Sequence, residues 1–187
     1  MQQENRVIFE NTRFRLTIER LCHELIENYG TFENTCLIGV QPRGIYLAER
    51  IRDRLSHILQ LENLAFGKLD TTFHRDDFRR TDTLLIPKPT EMDFLVDKKR
   101  VILIDDVLYT GRTIRAALTA LGHYGRPSKV ELLVLIDRRF NRHLPIRADY
   151  VGHTVDTLDQ AHIMVEWKEL VGRDRVVLLP KKVISRQ

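Results

Sequence analysis

The stretch Val101-Ile102-Leu103-Ile104-Asp105-Asp106-Val107-Leu108-Tyr109-Thr110-Gly111-Arg112-Thr113 decides how the rest of the chain is read. Its apolar opening, preceded by Arg100, predicts a short buried strand over Arg100 to Ile104. Asp105 and Asp106 follow directly, so both carboxylates are expected where the strand leaves the sheet, not on a solvated face. Thr110, Gly111 and Thr113 then sit in a short loop opening a helix whose apolar stripe is Ile114, Ala117, Leu118 and Leu121, closed by Gly122 and Gly125. Such a loop offers backbone N–H groups, hydroxyl donors and the positive end of a helix dipole, which together suit a phosphate. Acids beside a phosphate would repel it unless the ligand also carries hydroxyls that donate to them, as a sugar phosphate does.

On either side, apolar runs alternate with helix-period segments. A helix is expected from Asn11 or Thr12, as N-caps, to Tyr29-Gly30, with the stripe Ile18, Leu21, Cys22, Leu25, Ile26 and Tyr29. Cys36 to Val40 reads as a buried strand, Gln41-Pro42-Arg43-Gly44 as a tight turn, and Ile45 to Leu55 as a second helix. Strands are also expected at Leu64 to Leu69, Val130 to Ile136, Tyr150 to Gly152, Ile163 to Val165 and Val176 to Leu179. Residues 70 to 98 show no clean period and hold Pro87 and Pro89, the pattern of either a solvated charged loop or a functional insert. This alternation predicts an α/β fold built on an open, mostly parallel sheet flanked by helices, as a single domain over residues 1–187. Ligands of such sheets bind beyond the carboxyl ends of the strands, which directs attention to Val40, Ile104 and Ile136.

Composition narrows the class. The chain has 187 residues, 43% hydrophobic and 30% charged, with no apolar run long enough to span a bilayer. Its start, MQQENRVIFE, does not have the layout of a secretory signal. Cys22 and Cys36 make no disulfide framework or metal-ligand spacing and read as reduced core residues of a cytoplasmic protein. The histidines show no metal spacing either. The net charge is +4, and 22 arginines stand against 8 lysines. Guanidinium groups suit phosphate, although an arginine-rich solvated surface gives the same count. An acid-dependent phosphatase fits poorly, because Asp105 and Asp106 are adjacent and not separated by one residue.

The Asp105 segment resembles the signature with which type I phosphoribosyltransferases bind phosphoribosyl pyrophosphate. That resemblance implies the family fold, with a small hood and a mobile loop. It implies that Asp105 and Asp106 hold the ribose hydroxyls, and that Val107, Leu108, Tyr109, Thr110, Gly111, Arg112 and Thr113 hold the 5′-phosphate. Gln41, Pro42, Arg43 and Gly44 match the family's pyrophosphate loop. Arg43 joins Asp105 and Asp106 as the residues on which catalysis depends, and Pro42 stands where relatives carry threonine. Arg75, Asp76 and Asp77 resemble the mobile loop. His153 to Val165 would supply the hood, and Arg138 is either a base-side contact or a surface arginine. Mg²⁺ is implied as cofactor, carried mainly by substrate, with no direct protein ligand.

Within the family, these segments together with Gly44 to Ala48, Gly125 to Ser128 and Leu144 to Tyr150 are similar to the bifunctional pyrimidine-operon attenuator/uracil phosphoribosyltransferases. This similarity, over roughly Leu21 to Trp167, implies uracil, phosphoribosyl pyrophosphate and UMP as small-molecule partners, leader mRNA as a further partner, and a homodimer or higher homo-oligomer. The matching RNA positions are Arg20, His23, Arg142 and Arg147. The chain departs from that RNA pattern at Glu19, Asn28 and His153, where relatives have threonine, arginine and lysine, and by one extra residue within Arg139-Phe140-Asn141-Arg142. A regulator without turnover and a transferase for a purine base are the alternatives.

Overall fold

The computed structural model describes residues 5–75, 87–140, 142–156 and 161–179. Five strands form a parallel sheet in the order β3-β2-β4-β5-β6, namely Phe66–Leu69, Thr35–Val40, Arg100–Leu108, Lys129–Arg139 and Tyr150–Asp156. All six residues of β2 are buried, as expected for a strand covered on both faces. Period-two alternation divides the strands between two cores. Leu37, Ile102, Ile104, Leu133 and Leu135 face α1 (Asn11–Tyr29) and α2 (Gly44–Leu59). Cys36, Ile38, Val101, Leu103, Leu132 and Val134 face α3 (Arg112–Leu121). The fold class read from the sequence is therefore the one observed.

Tertiary pairing moves several boundaries. β4 and β5 run on together through Asp105↔Val134, Val107↔Ile136 and Leu108↔Asp137, so the acidic pair lies within the strand and not beyond it. Pairing with β6, Arg138↔Val155 and Arg139↔Asp156, takes β5 on to Arg139, past the expected end at Ile136. α2 extends to Leu59, and β3 begins at Phe66 instead of Leu64. Neither Asn11 nor Thr12 caps α1: Asn11 is its first residue, Glu10 precedes it in extended conformation, and no side chain closes that end. Leu118 belongs to the exposed face of α3, where Ala116 and Ala120 are buried in its stead.

The first strand had no counterpart in the sequence pattern. β1 (Arg6–Glu10) joins β8 (Arg175–Leu179) and β7 (His162–Glu166) in a three-stranded antiparallel sheet, order β1-β8-β7. The expected hood over His153 to Val165 is thus divided. His153 to Asp156 continue β6 in the large sheet, residues 157–160 lie outside the described residues, and His162 to Val165 belong to the small sheet. Phe9, Ile163, Val165 and Val176 of the small sheet share the core that covers α1 and α2.

Trp167, between β7 and α4 (Lys168–Val171), joins the two parts. It is fully buried, edge-on to Phe14 with ring centroids 5.4 Å apart, and the Arg50 guanidinium lies 5.1 Å from its centroid. Its indole N–H has no hydrogen-bond partner among the described residues. Trp167→Ala should lower unfolding free energy by about 3–5 kcal/mol. Trp167→Phe, which discards the unpaired donor and keeps the ring, should cost less than about 1.5 kcal/mol. Urea titration of both variants checks the pair.

Candidate functional site

At the carboxyl end of the sheet, a cleft of ≈ 540 Å³ is lined by Arg43, Arg75, residues 105–114, Arg138 and residues 162–165. Its floor is the end of β4. Asp105 and Asp106 are only 6% and 7% exposed, although they are adjacent carboxylates. Asp105 Oδ1 accepts from the Asp106 backbone N–H at 2.9 Å. Arg43 Nε donates to Asp106 Oδ2 at 3.0 Å, and its terminal nitrogen donates to the Val165 carbonyl of β7.

Burial, then the neighbouring Asp106 charge, holds the Asp105 carboxyl well above the usual carboxylate range. Burial also raises Asp106, against the opposing pull of Arg43. The floor of the cleft therefore carries desolvated acids that gain from hydroxyl donors or a cation.

α2 begins against this pair. A Cβ on Gly44 would lie 2.6 Å from the Ile104 carbonyl oxygen and 3.0 Å from Asp105 Oδ1, so the glycine lets the positive end of α2 meet the acid. Beyond β4, Gly111 takes φ +90° as the residue before α3. The first-turn amides of α3 have no intrahelical acceptor and open beside Thr110. With the Thr110 and Thr113 hydroxyls, which line the same cleft as the acid pair, they are the donors that an anion cradle would use.

The structure gathers most of the expected residues here and distributes others. Of the turn Gln41-Pro42-Arg43-Gly44, Arg43 lines the cleft. Gln41 is buried and donates from Nε2 to the Pro89 carbonyl at 2.8 Å, and the Gln41–Pro42 peptide is cis. Arg75 lines the cleft, whereas Asp76 and Asp77 lie outside the described residues. Arg138 is not a surface residue: it is 3% exposed, with its guanidinium 4.1 Å from the Tyr109 ring centroid.

Of the RNA positions, Arg142 is half-buried and the other three are exposed. Arg20 on α1 donates to the Val151 and Gly152 carbonyls of β6 at 2.9 and 2.7 Å. His23 and Arg147 are exposed. Arg142 donates to the Tyr109 carbonyl and, at 2.5 Å, to Asp137 Oδ1. Glu19 accepts from Arg54 Nε at 2.8 Å, and Asn28 donates to the Glu24 carbonyl at 3.0 Å. Burial, then Arg13 and Arg20, lowers the His153 imidazole. The sequence reading missed the Arg142–Asp137 pair, because a five-residue separation after a strand of unknown end carries no periodic signal.

Comparison with known proteins agrees with this geometry. A family model described as the phosphoribosyl transferase domain matches residues 6–170. A protein of Elusimicrobium minutum named bifunctional protein PyrR is 39% identical over 176 residues, 94% of this chain and 97% of that one. Its namesake in Bacillus mycoides is 41% identical over 181 residues, 96% and 99% of the two chains. Among solved structures, a hypoxanthine phosphoribosyltransferase of Staphylococcus aureus superposes with TM-score 0.70 at 18% identity, covering 97% of this chain and 94% of its own. That of Trypanosoma cruzi gives 0.69 at 16%, covering 94% and 97%. At such identities the structural likeness speaks for the fold alone.

The raised Asp105 carboxyl has a consequence for stability. Its folded-state value exceeds the unfolded one, so folded protein holds the extra proton, and stability falls as pH rises from the ordinary carboxylate range toward the folded value. Asp105→Asn removes that burden. Its urea midpoint at pH 7 should exceed that of the parent by the equivalent of about 1 kcal/mol. The gap should close near pH 3, and equal midpoints at both pH values would remove this account.

Proposed function

The chain belongs to the phosphoribosyl transferase domain family and is a phosphoribosyltransferase of the PyrR type, and we propose that its reaction is uracil plus phosphoribosyl pyrophosphate giving UMP and pyrophosphate. The observation that carries the reading is the buried acid pair, set between a guanidinium and an anion cradle. A diphosphorylated sugar needs all three: hydroxyl acceptors, a 5′-phosphate site and a second anion site. Asp105 and Asp106 accept from the ribose hydroxyls, the loop from Val107 to Thr113 holds the 5′-phosphate, and Arg43 in the turn after β2 meets the diphosphate. Arg138 serves the base side.

In the reaction, the bond from the anomeric carbon to the diphosphate oxygen breaks with its electron pair, and a bond from that carbon to the base nitrogen forms as the N–H proton is released. Positive charge grows on the sugar directly above the acid pair, where desolvated carboxylates stabilise it more strongly than water would. Negative charge grows on the leaving group, which Arg43 faces once it exchanges Asp106 and the Val165 carbonyl for phosphate oxygens. Much of the contribution of this chain is orientation of two substrates in one cleft.

Among the described residues no three histidine, cysteine or carboxylate groups converge on a metal site. The acid pair is nonetheless an oxygen donor set of the kind a hard divalent cation meets through water or substrate oxygens. Mg²⁺, which the family generally uses, would neutralise the diphosphate when bound with it.

A second role as a UMP-responsive regulator that binds leader RNA is favoured by the relatives named bifunctional protein PyrR. Exposed Arg20, His23 and Arg147 are the RNA-side residues the geometry leaves open to such a partner. The same reading places the protein in the cytoplasm as a homodimer or higher homo-oligomer. Among the described residues no helix is long and apolar enough to cross a membrane.

UMP formation should be seen with uracil and not with hypoxanthine, guanine or adenine assayed in parallel. Turnover on a purine alone would overturn the base assignment. Asp105→Asn and Arg43→Ala should each lower kcat/KM by about 10²–10³-fold, and parental kinetics in both would dismantle the site. For the RNA role, Arg147→Ala should weaken leader-RNA binding and reduce the salt slope by about one unit. An unchanged salt slope would take Arg147 out of that interface.

A further inference from the structure

The segment after β5 packs against the anion cradle at every step. Arg142 donates to the Tyr109 carbonyl, and the His143 and Leu144 amides donate to the Thr110 carbonyl at 3.0 and 3.3 Å. A Cβ on Gly111 would stand 3.3–3.4 Å from Ile146 and Leu144 side-chain atoms, so the segment also lies in van der Waals reach of the cradle's glycine. Three successive cradle residues, 109 to 111, thus face residues 142 to 146. Arg142 is in turn fixed by Asp137 Oδ1 at 2.5 Å, on the last turn of pairing between β5 and β4, where Leu108 sits opposite Asp137.

These contacts have a common effect. A loop whose backbone amides bind an anion must present them in one arrangement before the ligand arrives, since ordering on binding subtracts from affinity. The Tyr109 and Thr110 carbonyls are held by residues 142 to 144, and because each planar peptide sets its N–H opposite its C=O, these partners fix where the Thr110 and Gly111 amides point. The guanidinium of Arg142 is suited to this because its planar fork holds a carbonyl and a carboxylate at once, which one ammonium does in poorer geometry.

We propose that Arg142 is a positioning residue for the 5′-phosphate cradle, the leading member of a brace formed by residues 142 to 146, and not simply an RNA contact. The proposal rests on the phosphoribosyl reading of the cleft for the identity of the ligand, while the brace itself rests on the contacts above. It also makes occupancy of the cradle and the placement of exposed Arg147, one residue past the brace, mutually dependent. A ligand that tightens the cradle tightens the segment that carries Arg147.

Two readouts separate the brace from the reading it rests on. Amide hydrogen exchange on the full chain without ligand should show protection of residues 110 to 113 lowered about tenfold in Arg142→Ala, with the central strands unaffected. Calorimetry with ribose 5-phosphate, in the absence of RNA, should show affinity lowered about tenfold. Asp137→Asn should act in the same direction, and the double variant should lose little more than Arg142→Ala alone, because both substitutions release the same guanidinium. Unchanged exchange in Arg142→Ala overturns the brace, whatever the ligand affinities. Loss of RNA binding with unchanged exchange and ribose 5-phosphate affinity also overturns it and leaves Arg142 a surface contact. If the parent chain binds no ribose 5-phosphate, the functional reading fails, and the exchange measurement still decides the brace.

Discussion

Two adjacent carboxylates at the end of a central strand, nearly closed off from water, are the constraint around which the molecule is arranged. Burying one unpaired carboxylate is unfavourable, and burying two in sequence adds their mutual repulsion. The surroundings answer with three partial compensations. Arg43 pairs with Asp106, the Asp106 amide donates to Asp105, and the amino-terminal end of the 16-residue helix α2 abuts Asp105. None of these cancels the strain, since both carboxyls still stand above their ordinary range. The residual imbalance leaves the pair able to gain from hydroxyl donors or a cation, which ties an unfavourable feature of the folded chain to the one place where a ligand would offset it.

The same requirement orders the architecture around the site. β4 must be central, flanked by β2 and β5, because only there can its end be closed in on both sides. α2 must start at a glycine, since any side chain at position 44 would strike the backbone of β4. The small antiparallel sheet must lie over the cleft, and it does so through the Arg43 bond to the Val165 carbonyl and through the shared core at Trp167. One guanidinium thus touches the acid pair of the large sheet and the edge of the small one, which ties the geometry of the floor to that of the roof.

Much of this was legible in the sequence, for reasons that also explain what was not. The strand Cys36 to Val40, the helix stripe through Leu21 and Leu25, and the turn into α3 at Gly111 are local signals, set by periodicity and by a residue at positive φ. The cleft residues Asp105 to Thr113 and Arg43 followed from a contiguous motif and strand-end logic, and Arg75 from the resemblance of its segment to the family's mobile loop. β1 escaped because Arg6 to Glu10 alternates too weakly to show as a strand and exists through pairing with β8, about 170 positions away in the chain. The placement of Asp105 and Asp106 inside β4 escaped for a related reason: acids are poor strand formers, and here pairing with β5 overrides their preference. Arg142 was read by position as outward-facing, and a partner in another element drew it inward.

The excess of arginine acquires a different meaning in this light. Read as charge, 22 arginines to 8 lysines point to an anionic partner or to a habit of composition. In the fold, several of these side chains bridge separate segments of the chain. Arg43 spans β4 and β7, Arg50 reaches Glu169 and Asp174 from α2, Arg20 ties α1 to two carbonyls of β6, and Arg142 joins β5 to the loop after β4. Each uses more than one nitrogen of a rigid fork on acceptors set at different angles, a task for which a single mobile ammonium is poorly built. Among the described residues no lysine lines the cleft. The guanidinium count is therefore first a property of how this sheet, its helices and its small second sheet are held in register. Of these four bridging groups, Arg43 also lines the cleft.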